Sequence, residues 1–83
     1  MADKTTFHLV VASVGETRFD GPAVSATIPT ANGEITVLPH HEPIVTTLKP
    51  GTITARKAGG ESQEFSIEGG VLEVSGNRAV VLL

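Results

Sequence analysis

The densest group of chemically capable side chains in this chain is His40-His41-Glu42, set between Pro39 and Pro43. Imidazole nitrogens and carboxylate oxygens are ordinary zinc ligands. Adjacent side chains diverge on an extended backbone, and the third histidine, His8, lies far away in the first apolar run. The triplet therefore reads as a polar corner, and no metal site is expected. Glu34, after Asn32-Gly33, has the chemistry of a general base but no second titratable group near it in sequence. A surface carboxylate beside a loop is the better reading.

Two further features invite chemistry. Lys57 precedes Ala58-Gly59-Gly60, and in this it is similar to the modified lysine of small all-β lipoate or biotin carrier domains. Arg56 stands before it in place of the acidic or methionine-flanked motif of those carriers, which favours an ordinary charged hairpin residue. The glycine pairs Gly59-Gly60 and Gly69-Gly70 are not followed by a helical pattern. The helix N-terminus that would hold a phosphate is therefore missing, and turns or bulges explain them better. No catalytic residue is assigned and no cofactor is expected. The chain reads as a non-enzymatic docking scaffold.

The elements that carry these residues are strands. Val, Ile and Thr number 10, 5 and 10 of 83 residues, and side chains branched at Cβ suit a pleated, half-buried surface. Apolar residues alternate at Phe7/Leu9/Val11, Val24/Ala26/Ile28, Ile53/Ala55 and Phe65/Ile67. Breaks are expected at Val14-Gly15, Asp20-Gly21-Pro22, Thr30–Gly33, Pro39–Pro43, Pro50-Gly51, Ala58-Gly59-Gly60, Gly69-Gly70 and Ser75-Gly76-Asn77. Runs of about five residues between such breaks predict an all-β flattened sandwich or barrel of about ten short, mainly antiparallel strands. Ala79–Leu83 is apolar on both faces, so it should be buried or covered by something outside the chain.

Composition narrows the function classes. The net charge is −3 and no basic cluster exceeds Arg56-Lys57, so nucleic acid is not an expected partner. The only aromatics are three Phe, which leaves no stacking platform for single strands. No apolar run approaches the roughly 20 residues of a membrane span. Met1-Ala2-Asp3-Lys4 does not open a signal peptide, and the chain reads as soluble and intracellular. With no Cys there is no disulfide or thiolate metal site to support the fold. A domain this short buries only about 60–65% of its unfolded surface, so burial against another protein is an expected stabiliser.

In order along the chain, a set of blocks resembles the amino-terminal domain of the epsilon subunit of the F-type ATP synthase, the delta subunit in mitochondrial naming. Phe7–Val11 followed by Ser13 is similar to the opening strand of that family, and Phe19-Asp20-Gly21 to its F-S-G turn. Gly33-Glu34 through Leu38-Pro39 follows G-E-L-G-I-L-P, His41-Glu42-Pro43 follows H-A-P, and Lys49-Pro50-Gly51 its K-P-G ending. Gly69–Val74 follows G-G-x-L-E-V, and Asn77–Leu82 the closing strand. The resemblance covers nearly all of residues 1–83 as one domain.

It implies a rotor subunit of the central stalk that couples proton or sodium flow to ATP synthesis. Such a subunit binds the gamma subunit and touches the c ring from the cytoplasmic face of the energy-coupling membrane, as a peripheral part of the complex. The ring-facing loop would be Thr30, Ala31, Asn32, Gly33 and Glu34. The gamma-facing surface would be Ser13 with His40, His41, Glu42 and Pro43. The chain departs from the family at Thr36 and His40, where the family has Gly, and at Glu42, where it has Ala. The family's helical hairpin, which inhibits ATP hydrolysis and in some members binds ATP, has no counterpart within these residues, so neither property is expected of them. The alternative is a free-standing β-sandwich binding module outside the synthase.

Overall fold

The computed structural model describes residues 5–83; the Met1–Lys4 segment lies outside the described residues. Among the described residues there are nine strands and no helix, hence none long and apolar enough to cross a membrane. They are β1 (Phe7–Ser13), β2 (Glu16–Ala23), β3 (Ser25–Thr30), β4 (Gly33–Val37), β5 (Ile44–Leu48), β6 (Gly51–Arg56), β7 (Ser62–Ile67), β8 (Gly70–Ser75) and β9 (Arg78–Leu82). The all-β expectation holds, with nine described strands against about ten expected.

One continuous sheet runs β2-β1-β9-β8-β5-β3-β6-β7, with β4 paired to β3. The path turns over between β5 and β3, which share the single pair Thr30↔Leu48. The sheet thus doubles back on itself, with β2, β1, β9, β8 and β5 on one side of the core and β3, β4, β6 and β7 on the other. Only β1 and β9 pair in parallel; every other pairing is antiparallel. Where the two free edges approach, Phe19 of β2 meets Phe65 of β7 edge to face, centroids 6.1 Å apart.

Alternation puts Phe7, Leu9, Val11, Ala26, Ile28, Ile53, Ala55, Phe65, Ile67, Leu72, Val74, Ala79 and Val81 in one shared core. Burying a Leu, Ile or Val side chain is worth about 1.5–3 kcal/mol, so the fully buried Leu9, Ile28, Ile53 and Leu72 are its main contributors. Gly70 is required by close approach: its φ is +133°, and a Cβ there would stand 2.4 Å from the Leu82 carbonyl oxygen.

Two sequence expectations need correction. Asp20-Gly21-Pro22 is not a break, because β2 runs through it to Ala23. β2 is an edge strand paired on one side only, and the missing N–H of Pro22 need not interrupt a ladder there. Val24 does not share the Ala26/Ile28 face within a strand. It lies half-buried at the bend between β2 and β3, where its N–H donates to the Arg56 carbonyl at 2.8 Å.

Candidate functional site

Thr30, Ala31, Asn32, Gly33 and Glu34 form the tip of the β3–β4 hairpin, with Thr30 paired to Gly33 across the turn. Gly33 takes φ +117°, a left-handed conformation open to glycine and strained for other residues. Thr30 is 2% exposed. Its hydroxyl donates to the Gly33 carbonyl at 2.5 Å and accepts from the Asn32 N–H at 3.2 Å. Below the turn, Ala31 N–H donates to the Thr47 carbonyl at 2.9 Å and Lys49 N–H to the Pro29 carbonyl at 3.2 Å. The hairpin is thereby tied to β5. Thr30 supports the tip from beneath, while Ala31, Asn32 and Glu34 present its exposed surface.

The Pro39–Pro43 corner is built differently. It joins β4 to β5 and pairs with no strand among the described residues. Its internal bond runs from His41 N–H to the Leu38 carbonyl at 3.1 Å. His40 adopts φ +63°, the one described non-glycine residue with positive φ, and its N–H donates to Asn77 Oδ1 at 2.9 Å. This is a conformation that glycine adopts without strain. Thr36 is an ordinary exposed strand position whose hydroxyl lies 3.4 Å from that of its cross-strand partner Thr27.

His41 is half-buried, and its Nδ1 lies 2.7 Å from the Glu42 carbonyl oxygen, to which the Nδ1–H tautomer donates. That bond orients the ring and occupies one of its two nitrogens. Among the described residues no group of three or more His, Cys, Asp and Glu is arranged to hold a metal ion. Lys57 opens the turn between β6 and β7, where its carbonyl accepts from the Gly60 N–H at 3.0 Å. Its Nζ folds back over the Phe19 ring, 5.7 Å from the centroid. A side chain laid on the sandwich in this way does not project as a carrier lysine must.

The structure brings residues 40–43 together but sets Ser13 apart. The corner adjoins the start of β1 through Asn77, whose carbonyl accepts from His8 N–H at 3.0 Å. Ser13 closes the other end of the same strand, five residues on, or about 17 Å at the usual rise. That far end is also where Leu48 pairs with both Thr30 and Gly70. Ser13 therefore lies toward the hairpin-tip end of the sandwich, and the two parts of the proposed gamma-facing set bracket the outer face between them.

That outer face holds residues that sequence reasoning did not single out. Cross-strand registers align Val10, Val80, Glu73 and Val45 in one row, and Ala12, Leu82, Val71 and Thr47 in the next. Val45 is 70% exposed and Leu82 57%, with Val71 also exposed. Glu73 stands as a single carboxylate inside this apolar band. His8 Nε2 and Asp20 Oδ1, 2.5 Å apart, sit at its rim on β1 and β2. The pointer in the sequence was the run Ala79–Leu83, apolar on both faces: Ala79 and Val81 enter the core, and Val80 and Leu82 face outward. Val71 and Val45 carried the same alternation within shorter, more polar runs.

Comparison with known proteins gives this geometry a family. Residues 6–83 match the model of the ATP synthase delta/epsilon chain β-sandwich domain. The ATP synthase epsilon chain of Delftia acidovorans is 36% identical over 77 residues, covering 93% of this chain and 56% of that protein. The epsilon chain of Dichelobacter nodosus is 32% identical over 78 residues, 94% of this chain and 54% of its own length. This chain thus spans little more than half the length of such relatives. Among solved structures, a chain of the Euglena gracilis mitochondrial ATP synthase, in an assembly of OSCP, F1 and c-ring, superposes with a TM-score of 0.89. It is 26% identical, and the match covers 99% of this chain and 52% of that one. A chain of the Tetrahymena thermophila central stalk and c-ring shares the fold at a TM-score of 0.77 and 18% identity, over 98% and 65% of the two chains.

Proposed function

This chain belongs to the ATP synthase delta/epsilon chain β-sandwich family, and from that premise we propose that it is a non-catalytic subunit of the central stalk. In this reading it binds the gamma subunit through its outer face together with Ser13 and the corner His40–Pro43 that bracket it, and contacts c-ring loops through the exposed hairpin tip. It works at the surface of the energy-coupling membrane as a peripheral part of the complex, transmitting rotation and performing no chemistry.

The observation that carries the proposal is the apolar band in which exposed Val45, Val71 and Leu82 adjoin half-buried Val10 and Val80. Single exposed apolar residues are normal on a small protein, but a contiguous band is the mark of a docking surface. A marginal 83-residue sandwich also gains most from such a partner. Glu73 lies within the band and shares a surface pocket with Ser75, Arg78 and Val80, so polar groups of both signs adjoin the apolar surface and add orientation to an otherwise non-directional contact. The hairpin tip suits the ring contact because its exposed residues stand on a rigid base.

Titration calorimetry with the cognate gamma subunit tests the reading. Micromolar or tighter binding is expected, together with a gamma-dependent rise in melting temperature by mass action. Val45→Glu and Leu82→Glu, which place charge on the apolar band, should each weaken binding at least about tenfold while the free domain stays folded. A wild-type chain that does not bind at micromolar concentration sinks the stalk reading in favour of a separate binding module. Variants that bind like wild type move the interface off this face.

A further inference from the structure

The corner residues His40–Pro43 lie in a loop between prolines, yet a docking edge must have one shape. Among the described residues, the only hydrogen bond tying this loop to another segment is the one from His40 N–H to Asn77 Oδ1. Asn77 lies 37 residues away, in the two-residue turn Gly76-Asn77 between β8 and β9. Its other amide atom is engaged as well: Nδ2 donates to the Thr6 carbonyl at 2.7 Å. Its main-chain carbonyl accepts from His8 N–H at 3.0 Å. The side-chain orientation follows from the partners. Turning the amide over would set a donor against the His40 N–H and an acceptor against the Thr6 carbonyl.

We infer that Asn77 is the positioning residue of the corner: it holds His40 in its left-handed conformation and so fixes the direction in which His41 and Glu42 are presented to a partner. The bond matters because His40 carries a Cβ at φ +63°. A non-glycine residue there is strained and leaves the conformation unless something retains it. Asn77 does so from a rigid place, a tight turn that begins with Gly76 at φ +61° and joins two paired strands. Its two side-chain bonds lock the corner and the entry to β1 to a single point. Asn77 itself lies outside the left-handed region, so alanine can replace it without disturbing the turn.

The inference has two parts, and the second rests on the gamma-docking reading above. In the free chain, NMR order parameters of the His40, His41 and Glu42 amides should fall in Asn77→Ala from rigid values toward about 0.6 or below. Core strand amides such as Leu72 and Val81 should not change. Asn77→Asp keeps the acceptor for His40 but sets a carboxylate oxygen against the Thr6 carbonyl, so it should keep only part of the order. In calorimetry, Asn77→Ala should bind the gamma subunit roughly 5- to 10-fold more weakly, the worth of one hydrogen bond, with Asn77→Asp closer to wild type. Unchanged order parameters in Asn77→Ala overturn the positioning role. A loosened corner with unchanged gamma affinity overturns the docking role of that shape. Failure of the wild type to bind gamma removes the docking reading itself, and the order parameters still decide whether Asn77 holds the corner.

Discussion

The hairpin tip at residues 30–34 and the corner at residues 39–43 lie at opposite ends of β4, and they are held by opposite means. The tip is stabilised from within: Thr30 is buried under it, and its hydroxyl bonds residues two and three positions further on. The corner is stabilised from without, by an amide 37 residues away. The tip also obeys the backbone rules, with Gly33 at the left-handed position, whereas the corner sets His40 at one. A turn that supplies its own bonds can vary at its exposed surface. A loop that borrows its support depends on the partner that lends it.

Breaking the tip should therefore cost stability directly. Thr30→Val keeps the shape of the side chain but removes its hydroxyl, leaving the Gly33 carbonyl and Asn32 N–H without their buried partner. An unsatisfied, partly buried polar group costs about 1–3 kcal/mol. For a domain of this size the melting temperature should fall by roughly 4–8 °C per kcal/mol. Thermal unfolding followed by circular dichroism gives the number. A variant that melts with wild type shows that the tip does not rely on Thr30, and the contrast between the two ends disappears.

The corner predicts the opposite sign. His40→Gly removes the Cβ from a left-handed site. The relief of strain is about 1–2 kcal/mol, offset in part by the greater freedom of glycine in the unfolded chain. A net gain of about 0.5–1 kcal/mol is expected, read as a higher midpoint in urea at unchanged slope. A lower midpoint means that the imidazole contributes a contact that outweighs its backbone strain.

These two ends also show what a sequence can disclose. Alternation at Phe7/Leu9/Val11 and Phe65/Ile67 identified core faces because burial has the period of the strand. The Asn32-Gly33 turn was legible because its bonds are local. Pro22 misled because edge position, which makes a proline harmless in a strand, depends on which strand pairs with which. The separation of Ser13 from the corner was hidden for the same reason: their distance is set by β1 and its neighbours. The His40–Asn77 bond was out of reach altogether, since nothing near either residue in the chain points to the other. The outward apolar band was half-visible: two faces of Ala79–Leu83 asked for cover, but only the registers of β8 and β5 join Val71 and Val45 to it.

The smallest expected effect sharpens the comparison most, because it separates surface from support within the tip. Glu34 is exposed as the second residue of β4, opposite Pro29, and no hydrogen bond or ion pair holds its carboxylate among the described residues. Glu34→Ala should leave the free domain within about ±0.5 kcal/mol of wild type. Any ring contact it makes is an exposed charge interaction of about 0.2–1 kcal/mol, weakened further by salt. Binding to detergent-solubilised c ring should therefore drop by no more than about fivefold, with the difference closing as salt is raised. A domain that unfolds on this substitution makes Glu34 part of the support, like Thr30. An unchanged melting curve with a salt-sensitive loss of ring affinity assigns support to Thr30 and recognition to Glu34, four residues apart on one hairpin.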